Sequence, residues 1–186
     1  MSAGPAAEAW ARAERERLGV GPLVALCPGA RHATKRWPEE RWCALDRRLA
    51  DAGWGRLVVS TRAEQLALPQ LAARIAAEAR ARWIVEPLER VAALLGECAA
   101  AVTHDSGLMH LAAARGKRVV ALFGSTSPVL GFAPLGEGHA VICRELSCQP
   151  CSVHGRERCP RGHFRCMRSI EPEEVWDRLR ALVPAP

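Results

Sequence analysis

Residues 99–111 read A-A-A-V-T-H-D-S-G-L-M-H-L: an apolar run, three polar residues, a Ser-Gly pair, then helical spacing. Ala99, Ala100, Ala101 and Val102 suit a buried strand. Leu108, Leu111 and Ala112 share one side of a helix that starts near Asp105 or Ser106. Gly107 leaves the first turn without a side chain, which opens the amides of Gly107, Leu108 and Met109 to a ligand. Bare N–H groups at a helix N-terminus attract phosphate. His110, one turn on, is placed to reach back as a further donor. An ordinary strand-to-helix turn has the same pattern.

The flanking sequence repeats the alternation. Strands are expected over 23–27, 56–60, 83–85, 99–103, 117–123 and 140–143, and helices over 6–18, 38–52, 63–82, 88–98 and 172–182. Pro69 is expected to interrupt or kink the long 63–82 helix. Most of the strands are unbroken apolar runs. Such runs alternating with helices mean a parallel sheet covered on both faces, and in such sheets ligands bind beyond the carboxyl ends of the strands.

Composition agrees with one domain. The 186 residues are 49% hydrophobic and 25% charged, enough to bury a core without staples. The longest apolar runs are too short to span a bilayer, and no signal segment is evident, so a cytoplasmic location is expected. The net charge of +6 is scattered and largely arginine. It suits a polyanionic ligand or an anionic membrane surface and argues against nucleic acid.

The loops after the strands carry the polar chemistry. Pro28-Gly29-Ala30 forms a tight turn, with Lys35 and Arg36 supplying cations near it. Glu64 lies just inside the helix after the second strand, and Gly124-Ser125-Thr126-Ser127-Pro128 follows the fifth. A lysine, open helix N-termini and a carboxylate for ribose hydroxyls would together hold a nucleoside diphosphate. Neither G-x-G-x-x-G nor G-x-x-x-x-G-K-[ST] occurs, which argues against a dinucleotide enzyme or a P-loop ATPase.

Three ordered segments, P-G-A-R-H-A-T-K-R-W-P-E-E-R-W from residue 28, T-H-D-S-G-L-M-H-L-A-A-A-R-G from 103 and V-V-A-L-F-G-S-T-S-P from 119, resemble glycosyltransferase family 9. Its best-known members are ADP-heptose:lipopolysaccharide heptosyltransferases, and the tail L-S-C-x2-C-x7-C-P-x-G-H-x-R-C-M resembles the heptosyltransferase II subset. The likeness covers residues 23–182. It implies the GT-B architecture, two Rossmann-like domains around a cleft. This chain matches the C-terminal, donor-binding half. Residues 1–20 then look like an interdomain helix or linker and 21–186 like the nucleotide-sugar domain. The acceptor domain and its catalytic aspartate are expected outside this match, which leaves no catalytic base assigned here.

By the same resemblance, Lys35 neutralises the diphosphate, Ser106, Gly107, Leu108 and His110 form the phosphate turn, and Asp105 orients that turn or meets the sugar. Thr126 touches the donor, Glu64 holds the ribose, and Met109 lines the adenine or sugar pocket. Helix-dipole roles for Glu64 and Asp105 and a core role for Met109 fit the residues as well. Trp37 and Trp42 are read as packing beneath the loop. The implied partners are an ADP-sugar donor, ADP-L-glycero-D-manno-heptose first, and a lipopolysaccharide core acceptor held by an N-terminal domain, at the inner membrane face. A non-catalytic ADP-sugar-binding module or a truncated remnant is the alternative.

The loop 146–168 holds Cys148, Cys151, Cys159 and Cys166, with His154 and His163 beside them. A C-x2-C pair with two further cysteines fits a tetrahedral structural zinc, which would order a long loop. Reduced thiols and a disulfide are the other readings. No cofactor is expected for catalysis itself. Cys27, Cys43, Cys98 and Cys143 sit in apolar segments and read as small core residues.

Overall fold

The structure, a computed structural model, describes residues 3–19 and 21–183. Six strands form one parallel sheet: β1 (Leu23–Cys27), β2 (Gly55–Val59), β3 (Ala81–Ile84), β4 (Ala100–His104), β5 (Arg118–Phe123) and β6 (Ala140–Cys143). Their order across the sheet is β3-β2-β1-β4-β5-β6. This is the doubly wound order, and its direction of growth reverses between β1 and β4. The crevice above that reversal is where ligands of such sheets bind, and residues 103–110 lie at its edge.

The strands are apolar throughout because both faces are covered. In β1, Leu23, Ala25 and Cys27 join one buried cluster while Val24 and Leu26 join the other, and β5 divides Val119, Ala121 and Phe123 from Val120 and Leu122 in the same way. α1 (Pro5–Arg17), α5 (Leu88–Glu97) and α6 (Gly107–Ala114) cover the first face. α2 (Glu39–Asp51), α4 (Pro69–Ala76) and α8 (Pro172–Leu182) cover the second. The segment expected as a linker packs closely: Ala7 and Ala11 of α1 are buried in the first core. Small side chains there let α1 lie close on α5.

The helix expected over 63–82, with Pro69 interrupting or kinking it, is broken at that proline into two helices and gives way to a strand at its end. α3 (Arg62–Leu66) ends, Leu68 leaves the helical region at φ −127° and ψ 61°, and Pro69 opens α4 at its first turn. Proline lacks the N–H that an unbroken helix would need there and restricts the residue before it. α4 stops at Ala76, so β3 starts two residues earlier than expected. A four-residue helix, α7 (Arg165–Arg168), interrupts the cysteine-rich loop. Among the described residues no helix is long and apolar enough to cross a membrane.

Candidate functional site

A cleft of about 630 Å³ opens over the carboxyl ends of β1, β2 and β4. One end is polar: Gly29, Ala30 and Arg31 after β1, Ser60, Thr61 and Glu64 after β2, and Ser106, Gly107 and His110 at the start of α6. The rest of the lining is largely apolar, Val59 of β2, Leu88 and Val91 of α5 and Leu108, Leu111 and Ala114 of α6, with the Glu86 carboxylate among them. A polar floor beside an apolar wall suits a ligand with a charged part and a flat, weakly polar part.

The N-terminus of α6 faces the polar end. Ser106 is its N-cap with extended backbone, yet its hydroxyl caps nothing. Ser106 Oγ is buried and has no hydrogen-bond partner among the described residues. The first-turn amides of Gly107 and Leu108 have no carbonyl one turn behind them, as in any helix. The Met109 amide, expected to be open as well, donates to Ser106 O at 3.1 Å. A methyl group on Gly107 would meet nothing within 4 Å, so the space beside this glycine is cleft.

Beside the cleft runs a row of buried polar groups. Lys35 Nζ lies 2.7 Å from Asp105 Oδ2, with the two side chains only 12% and 6% exposed. Thr126 Oγ1 donates to the same carboxylate oxygen at 2.8 Å. Asp105 thus fixes the lysine ammonium through a charge-assisted contact and is itself fixed from the β5 loop. Asp105 immediately precedes Ser106, so this row abuts the N-terminus of α6.

His104 ties the first loop to β4. It is wholly buried, accepts the Trp37 N–H on Nε2 at 2.9 Å and faces Gly29 O from Nδ1 at 3.3 Å. Nδ1 must therefore carry the proton, since a carbonyl only accepts. Burial holds the imidazole pKa down to about 4, against a smaller upward pull from Gly29 O. A neutral ring thus joins both ends of the loop that carries Lys35. Trp42 packs edge-on against the imidazole and against Trp37, in the packing role expected of the two tryptophans.

Glu64 does two things. It closes a capping box on α3, accepting the Thr61 N–H and Oγ1–H on Oε2 at 2.9 Å each. It also leans over the β1 turn: a Cβ on Gly29 would lie 2.3 Å from Glu64 Oε1, so a side chain there would push the carboxylate aside.

Comparisons with known proteins give the family. The model of glycosyltransferase family 9 (heptosyltransferase) matches residues 3–159. The chain belongs to that family. Lipopolysaccharide heptosyltransferase 2 of Escherichia coli K12 is 30% identical over 170 residues, 87% of this chain and 47% of the relative. The solved E. coli ADP-heptose lps heptosyltransferase II superposes with a TM-score of 0.77 at 26% identity, over 96% of this chain and 51% of that one. A family 9 glycosyl transferase of Veillonella parvula gives a TM-score of 0.79 at 19% identity, over 96% and 52%, a likeness of fold alone. This family 9 chain spans about half the length of the relatives it matches.

The expected residues fall into three groups in the family 9 chain. Glu64, Ser106, Gly107, Leu108 and His110 line the cleft. Lys35, Asp105 and Thr126 form the row beside it, with Thr126 wholly buried and turned to Asp105. Met109 does neither. Its side chain is fully buried in the core under α6, because the helix turns that position toward the sheet. The apolar wall takes its place, and of that wall the α5 residues Leu88 and Val91 were not foreseen. Leu88 follows Pro87 at the start of a helix and is 66% exposed. A large apolar residue at such a helix start, on the ligand side of the sheet, is the one sequence signal for that wall.

In the cysteine-rich loop the four expected thiols share one neighbourhood. Burial, and then Cys151, Cys159 and Cys148, push the Cys166 thiol up to about 11, and Cys151 is raised by burial and then by Cys148 and Cys159. Burial raises Cys159 as well, yet the N–H groups of Phe164, Arg161, Gly162 and His163 outweigh it and lower the thiol below its ordinary value. Among the described residues no three His, Cys, Asp or Glu side chains are grouped tightly enough to hold a metal ion.

Proposed function

We propose that this chain is the donor-binding part of a heptosyltransferase, taking an ADP-sugar in the cleft between β1, β4 and α6. The observation that carries the reading is the start of α6. There a buried, unpartnered Ser106 hydroxyl and the amides of Gly107 and Leu108 converge on the polar end of the cleft. Diphosphate oxygens at that point gain hydrogen bonds, the positive end of the helix and a neighbouring ammonium. His110 adds a donor from the next turn. Glu64 then meets the ribose hydroxyls, and the apolar wall of Leu88, Val91 and Leu111 receives the base. The similarity to the solved E. coli ADP-heptose lps heptosyltransferase II supports the choice of adenine and heptose.

In the transfer proposed for the whole enzyme, an acceptor hydroxyl of the lipopolysaccharide core attacks the anomeric carbon while the bond to the diphosphate breaks. ADP leaves carrying the charge, and an aspartate of the acceptor domain takes the hydroxyl proton. Lys35 neutralises the leaving diphosphate, and because Asp105 already holds the ammonium, little reorganisation accompanies that step. The net charge of +6 fits work at the inner membrane face. The cysteine donor set suits a structural zinc, and drawing the four side chains together on the metal is part of that proposal.

Calorimetry tests the donor reading. ADP should bind at micromolar to millimolar strength, with UDP and GDP weaker, and Lys35→Ala should cost roughly 1–3 kcal/mol. Equal binding of all three nucleotides would refute the adenine assignment, and unchanged affinity in Lys35→Ala would remove the lysine from the site.

A further inference from the structure

The residue before Lys35 makes more contacts with distant segments than any sequence motif explains. Thr34 is 3% exposed. Its hydroxyl donates to Arg156 O at 2.8 Å and accepts from Arg156 N–H at 2.8 Å and from Ser125 Oγ at 2.8 Å. That fills the one donor and two acceptor positions of a hydroxyl. Its backbone adds Thr34 N–H to Arg156 O at 3.0 Å and Ser125 N–H to Thr34 O at 3.2 Å. Three segments meet at this side chain: the short turn carrying Lys35, the loop after β5 and the cysteine-rich loop.

The cysteine-rich loop is bound to the same place from its other side. Cys151 N–H and Ser152 N–H both donate to Ser125 O, at 3.0 and 3.2 Å, and Gln149 Nε2 donates to Gly124 O at 2.6 Å. Gly155, at φ +112°, lies against the lysine itself: a Cβ there would come within 2.9 Å of Lys35 Cδ and 2.6 Å of His32 Cβ. A side chain at Gly155 would be strained by its backbone and would displace the Lys35 stem.

We propose that Thr34 and Gly155 are positioning residues for Lys35, and that the cysteine-rich loop is thereby the back wall of the anion site. Asp105, itself held by Thr126, holds the ammonium from the sheet side, while on the loop side Gly155 lies against the stem and Thr34 fixes the backbone next to the lysine. The inference rests on Lys35 meeting a diphosphate, as proposed above, and says how that meeting is enforced.

The test is a double-mutant cycle on the 186-residue chain, read by ADP affinity and by thermal melting. Thr34→Val keeps the shape and removes the hydroxyl network, and should weaken ADP about 5- to 30-fold. Thr34→Ser keeps the hydroxyl and should restore most of that loss. In a Lys35→Ala background, Thr34→Val should leave ADP affinity unchanged within about twofold while lowering the melting temperature as it does in the parent. A purely structural Thr34 would lower affinity by the same factor in both backgrounds, and that additivity would overturn the proposal. Should Thr34→Val not fold, Gly155→Ala makes the same comparison from the loop side, with the same two outcomes. Lys35→Ala without effect on ADP would instead remove the lysine from the site, and this inference with it, while loss of ADP binding by the parent chain would defeat the donor reading itself.

Discussion

At the residue scale, polar groups outside the cleft lining hold the loop that carries Lys35. His104 is the clearest case, because one neutral ring satisfies the Trp37 amide and the Gly29 carbonyl in a fully buried place. Its proton inventory has a measurable consequence. The native ring stays neutral down to about pH 4, whereas an unfolded chain takes up the proton near the ordinary histidine value of 6.5. Above pH 6.5 the two states bind equally and this residue adds no slope. As pH falls from 6.5 to 4 the unfolded state binds more proton, so stability declines, by about 3 kcal/mol at most. His104→Leu should flatten that part of the stability curve in chemical denaturation while costing about 2–4 kcal/mol at pH 7, since it leaves an amide and a carbonyl buried without partners. A slope that survives the substitution would place the titrating group elsewhere.

At the element scale, the long cysteine-rich loop is held by backbone and side-chain bonds to the β5 loop and to Thr34 rather than by secondary structure of its own. If its four thiols bind zinc, protein purified under reducing conditions should carry about one equivalent, and a chelator should loosen the loop without unfolding the sheet. Metal analysis that finds none would leave four thiols. The difference between loop and sheet also explains what the sequence disclosed. Unbroken apolar runs announce strands buried on both faces, so β1, β4 and β5 and their parallel pairing were legible, as was a helix start near Asp105 or Ser106. Periodicity said little where proline divides α3 from α4, or where α7 sits among turns. It also left Met109 between pocket and core, because a one-position rotation decides whether a helical residue faces cleft or core. His104 and Thr34 were illegible for another reason: their partners are residues far away in sequence, and only the fold brings them together.

At the scale of the whole molecule, the doubly wound order places a cleft at the reversal between β1 and β4 in a chain that belongs to family 9. The phosphorylated donor proposed for the cleft draws on its open amides, its carboxylate over a glycine turn and its apolar wall, with the held lysine beside it. The central claim is that diphosphate lands on the start of α6, and amide NMR during an ADP titration tests it most directly. The account predicts that the Gly107 and Leu108 amides move first and furthest, with Gly29 and Ala30 following, while the Met109 amide, already bonded to Ser106, moves less. The largest shifts appearing away from β1, β4 and α6, with Gly107 and Leu108 unmoved at saturation, would contradict it.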